Sequence, residues 1–113
     1  MKKIVVFIFL LLAASNINAQ QQNTPAEKLA HHIANKMADS LNLTNQQRQN
    51  IFTVNMDLHQ QKMQARSKSQ DRIIVGKELQ RIEGTRNSYY KNILTETEYN
   101  LYFQKRQVFI TAN

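Results

Sequence analysis

Three threonine-led helix starts divide this chain, and they constrain its fold more than any other feature. Thr24-Pro25-Ala26-Glu27 places a capping hydroxyl before a proline at the first helical position, with a glutamate at N3. Leu43-Thr44-Asn45-Gln46-Gln47 repeats the logic with glutamine at N3, and Leu94-Thr95-Glu96-Thr97-Glu98 repeats it with glutamate. In both later starts the Thr hydroxyl can accept from the N3 amide while the N3 side chain returns to the Thr amide. Leu94 and Tyr99 can add a hydrophobic staple; at the earlier start N4 is Arg48, and the staple is poorer. Two glycines, one proline and no tryptophan in 113 residues, with abundant Gln and Asn, agree with helices rather than strands. Leu41-Asn42-Leu43-Thr44 and Asn92-Ile93-Leu94-Thr95 stand 51 residues apart, which suggests an antiparallel helical hairpin whose halves begin alike.

The chain opens with Lys2 and Lys3, then an apolar run from Ile4 to Ala14, then small and polar residues to Ala19. That run is too short to span a bilayer comfortably, and the pattern is that of a cleavable signal peptide over residues 1–19. No cysteine follows it, so a lipid anchor is not supported. Residues 20–23 are expected to be a flexible polar tail, and residues 24–113 a single helical domain in the bacterial periplasm. Loss of Lys2 and Lys3 lowers the formal charge from +7 to +5. The compartment would permit disulfides, yet the chain has no Cys. So short a chain buries a limited core, and an intertwined homodimer is the expected remedy.

Apolar spacing predicts three to four helices. The first runs to about Ser40 with Ala26, Leu29, Ala30, Ile33, Met37 and Leu41 on one face. The second continues to about Lys68 and carries two stripes, their centres roughly 140° apart on a helical wheel. Ile51, Val54, Leu58 and Ala65 form one; Phe52, Met56 and Met63, with His59 between, form the other. One stripe can face the core, while the other needs a helix, a subunit or a client. The polar stretch Arg66–Arg72 is either a turn or the solvated middle of one long helix, and the bend is the favoured reading. A third helix from about Asp71 to Asn92 aligns Val75, Leu79, Ile82, Tyr89 and Ile93, with Arg86 in the stripe and expected to snorkel outward. Gly76 and Gly84 lie off that stripe, which implies a helix held by packing rather than by propensity. The last helix places Tyr99, Tyr102, Phe103, Phe109 and Ile110 on one aromatic face.

Leu-Thr-x-x-Gln occurring twice in a small exported helical protein resembles the Spy/CpxP group. The first copy, Leu43 to Gln47, matches in full; the second has Glu98 in place of Gln and keeps the capping chemistry. The resemblance covers most of the chain after the signal in layout: short helix, motif, long polar helix, motif, closing helix. It implies a cradle-shaped antiparallel homodimer that binds unfolded or partly folded clients on a basic, amphiphilic concave face without ATP. Some members also dampen a membrane sensor kinase of the envelope-stress response.

The residues themselves supply compatible ingredients. Phe52, Met56 and Met63 form an adaptable apolar stripe, read equally well as client or dimer surface and as ordinary core. Arg48, Lys62, Arg66, Lys68 and Arg72 could attract acidic or unfolded polypeptides, although such a cluster is more often a solvated face. Thr44, Gln47, Thr95 and Glu98 are read as helix caps. His31 and His32 are adjacent, about 100° apart on a helix, and do not share one ion; no metal or other cofactor is expected. No Cys nucleophile, serine elbow or phosphate loop is present, so an enzyme is not expected. Export argues against nucleic acid as the partner of the positive charge. The expected function is client binding, as a holdase-like chaperone or as a modulator of a membrane sensor domain. The alternatives are a structural or interaction protein of the envelope and a peripheral binder of anionic lipid.

Overall fold

A computed structural model describes residues 24–111, and the expected signal peptide and polar tail lie outside the described residues. Five helical segments follow one another with no strand between them: α1 (Pro25–Leu41), α2 (Asn45–Lys68), α3 (Arg72–Gly84), α4 (Arg86–Ile93) and α5 (Glu96–Thr111). Because α3 and α4 are separated by Thr85 alone, they form one broken rod, and the fold is all-α with four rods. None of the described helices is long and apolar enough to cross a membrane.

The turns follow from local chemistry. The Thr24 hydroxyl accepts from the Glu27 amide to start α1. Asn42 ends that helix in the left-handed region at φ 59°, which Asn tolerates better than most residues. Between α2 and α3 the bend falls within the stretch read as one: Asp71 caps α3 by accepting from the amides of Ile73 and Ile74. At Thr85 the hydroxyl and the amide both donate to the carbonyl of Ile82, a tight turn that interrupts the helix.

The antiparallel hairpin is real. Side chains of α2 meet the returning rod in opposite order: Gln47 reaches Ile93, Asn55 reaches Tyr90, and Lys62 reaches Glu83. α1 lies against the first half of α2 and against α5, and the main core forms where they meet α4. Ile33, Ala34, Met37, Ile51, Tyr90, Tyr102 and Phe109 are buried there. A smaller cluster of Leu58, Ala65 and Ile82 holds the far half of α2 to α3. No other helix packs on α3 except its own continuation, so α2 and α3 form an arm covered on one side.

Three apolar faces differ from the periodicity. Leu29 is 45% exposed and Ala34 is fully buried instead. α1 is sandwiched between α2 and α5, and the small Ala30 and Ala34 let the helices approach closely. In the broken rod Tyr89 faces outward, and Tyr90 packs its ring edge-on to Tyr102, with centroids 4.8 Å apart. The turn at Thr85 removes the continuity that the straight-helix stripe assumed. On α5, Phe103 is 45% exposed under the guanidinium of Arg106, 3.9 Å from its ring centre, while Tyr102 and Phe109 fill the core.

Candidate functional site

Both Leu-Thr motifs form complete capping boxes. The Thr44 hydroxyl accepts from the Gln47 amide at 3.1 Å, and the Thr44 amide donates to Gln47 Oε1 at 2.9 Å. Thr95 and Glu98 repeat this at 3.2 and 2.9 Å. The two boxes also touch. Gln47 Nε2 donates to Glu98 Oε1 at 2.8 Å and to the carbonyl of Ile93 at 3.2 Å. One box has an amide and the other a carboxylate, so the departure from the repeated glutamine creates a charge-assisted bond. The Thr95 amide, and then Gln47, hold the Glu98 carboxyl below its ordinary range.

Midway along the hairpin lies a polar chain that the sequence reading missed. Arg86 is buried rather than snorkelling outward. Its guanidinium donates to both carboxylate oxygens of Glu83, to Asn55 Oδ1 and to Tyr90 Oη. Asn55, also buried, donates to Tyr90 Oη at 2.9 Å and to the carbonyl of Ile51 at 2.8 Å. Lys62 closes the chain on Glu83. Burial raises the Glu83 carboxyl, but the hydrogen bonds from Arg86 and Lys62 outweigh it and the net shift is downward. Burial alone would lower Arg86, but Glu83 and Tyr90 reverse that and hold it charged. The signal for this chain was legible: Asn55 stands four residues after Ile51 and three before Leu58, inside the inward stripe.

The eight residues proposed for client contact do not form one patch. Arg48, Phe52 and Met56 are half-buried in the first half of α2, where Phe52 packs on the core and stacks on His31 at 4.1 Å. Part of the second stripe is thus covered by α1. Lys62 is partly buried and committed to Glu83. Met63, Arg66, Lys68 and Arg72 are exposed on the arm. There the structure adds residues that the periodicity did not single out: Ile73 is 71% exposed and Ile74 58% exposed, while Met63 is 52% exposed. Two adjacent isoleucines in the first turn of a helix point about 100° apart, so both do not face one neighbouring helix, and that adjacency was the available signal.

Between α2 and α3 the arm opens into a groove of about 670 Å³. Ala65, Ile74, Val75 and Ile82 supply its apolar lining, and Lys68, Lys77, Arg81 and Glu78 its charges. Arg81 binds Glu78 at 2.6 Å and holds that carboxyl low. Neither Lys68 nor Lys77 forms an ion pair among the described residues. Apolar lining and cations without ion-pair partners thus lie side by side in this groove.

The fold and this surface define an all-α protein built on an antiparallel hairpin, with the main core at one end and a basic arm at the other. No family model matches the chain, and neither does any curated protein or any solved structure.

Proposed function

We propose that the protein is a periplasmic, ATP-independent client-binding protein that uses the arm. The observation that carries this reading is the exposure of Met63, Ile73 and Ile74 among Arg66, Lys68, Arg72 and Lys77 on helices with no further cover. Large apolar groups left exposed among cations mark surfaces that meet something else. A cationic rim attracts acidic segments before contact and tolerates many sequences. The likeness of the Leu-Thr-x-x-Gln boxes to the Spy/CpxP group supports the same reading, as does the signal-like start. Dimerisation belongs to the proposal, because a second copy would add core to a small domain.

The test is light scattering of a refolding client protein with residues 20–113 added at near-equal molar ratio and without nucleotide. Suppressed aggregation that weakens at high salt is the expected outcome. No suppression at several-fold excess, with circular dichroism showing folded helices, would overturn it. Binding of a single folded sensor domain with fixed stoichiometry would place the protein among modulators instead of holdases. Ile73 and Ile74 beside Arg72 also suit an anionic lipid surface, and that second reading predicts vesicle binding that rises with anionic lipid content.

A further inference from the structure

We propose that the groove of the arm seats an amphipathic helix with acidic flanks. This rests on the client-binding reading and narrows the client to a chemical class. The groove has an apolar floor at Ala65 and Ile82, continued by Ile74 and Val75, and two cations without ion-pair partners at its rim, Lys68 and Lys77. Floor and rim together match a ligand that is apolar on one side and negative at the edges of that side.

Backbone chemistry selects the ligand's conformation. Both walls of the groove are helices, whose interior N–H and C=O groups are satisfied within each helix. No strand edge is offered. An extended ligand would press unpaired backbone groups against an apolar floor, at the cost of their lost hydration. A helical ligand satisfies its own backbone and presents only side chains. The molecule already contains this solution: α1 lays the face bearing Ile33, Ala34 and Met37 beside the first half of α2. The groove is the open position along the second half. With 13 residues, α3 is about 20 Å long, enough for apolar anchors at i, i+3 or i+4, and i+7 of a ligand helix.

Charge selects the sign. A second copy of this chain carries the same net positive charge, +5 without Lys2 and Lys3, and would meet Lys68 and Lys77 with repulsion. An acidic segment gains from both lysines.

The experiment is fluorescence anisotropy of the purified protein with two labelled peptides of identical Leu, Ala and Glu content. One places leucine at helical spacing, and the other alternates it with glutamate. The helical-spacing peptide should bind about tenfold tighter. Lys68→Glu with Lys77→Glu should weaken it about tenfold and reverse the preference toward a lysine-flanked peptide. Ile74→Ser should weaken both charge forms with an unchanged circular dichroism spectrum. Should Ile74→Ser unfold, the exposed lysine pair still decides the matter. Equal binding of the alternating peptide would overturn the proposal. So would binding to phosphatidylglycerol vesicles that the peptide fails to compete. Retained aggregation suppression without any peptide preference would remove the helix ligand and leave the client-binding reading standing. Loss of both in the unmodified protein would remove both.

Discussion

Arg86 receives its counter-charge from Glu83, one turn earlier in the chain, and its remaining donor capacity goes to Asn55 on the opposite helix and to Tyr90. Such a chain is costly to interrupt, because each member left behind keeps a buried polar group without a partner. Arg86→Met should therefore cost about 3 kcal/mol in urea denaturation, since it strands Asn55 Oδ1 and one side of Glu83. Tyr90→Phe removes one hydroxyl and keeps the ring in the core, so about 1 kcal/mol is expected. An Arg86→Met effect no larger than that of Tyr90→Phe would show that the guanidinium is solvated and the chain unimportant. At the other polar cluster, Thr44→Ala should cost ~1 kcal/mol, as helix caps generally do. Gln47→Ala should cost more, because it also removes the bonds to Glu98 and Ile93. A double-mutant cycle of Gln47→Ala with Glu98→Ala should return a coupling of at least ~0.5 kcal/mol. No coupling would mean that the boxes act independently.

Among the elements, the base and the arm differ in what holds them. The base joins α1, α4, α5 and the start of α2 through a shared core and the linked boxes. The arm joins α2 to α3 through one small apolar cluster and the Lys62–Glu83 pair, and Ile82 is the single buried residue of α3. Amide hydrogen exchange should accordingly be fastest in α3 and slowest in the inward turns of α1 and α2. Uniform protection along the chain would contradict this division. A Cβ added at Gly76 meets nothing within 4 Å, and the residue lies inside α3. Gly76→Ala should raise stability by about 0.5–1 kcal/mol and slow exchange in the arm, because it relieves the entropy cost of glycine in a helix. A destabilised variant would contradict the open space around Gly76.

At the scale of the whole molecule, pH acts on two places at once. Glu98 and Glu83 both titrate below the ordinary glutamate range when folded, for the reasons given above. Their contribution is fully present above the unfolded value of about 4.3 and is lost as pH falls through the lower folded values. The urea midpoint should be level from neutral pH to about 5 and fall below that, and Glu98→Gln should flatten part of the fall. An unchanged acid limb in that variant would place the loss of stability elsewhere. Because Glu98 and Gln47 tie α5 to α2 while Glu83 ties α2 to α3 and α4, acid should loosen both base and arm.

What was legible in the sequence was whatever local chemistry decides. Thr44, Thr95 and their N3 partners announced two helix starts because a cap needs only residues three apart. Ile33, Met37, Ile51 and Leu58 announced inward faces because a helix repeats its direction every 3.6 residues. The bend before Asp71 was readable because the stretch Arg66–Arg72 is polar and charged. Tertiary structure decided the rest. That Gln47 and Glu98 would join depends on two helix starts arriving side by side from 51 residues apart. That Arg86 would be buried depends on Asn55 and Tyr90 being in reach across the hairpin. The proposed client stripe was divided because α1 covers Phe52 and leaves Met63 open, and Ile74 became a groove wall because no helix packs on α3 except α2 and its own continuation. Periodicity says which residues share a face, but only packing determines whether that face has a neighbour.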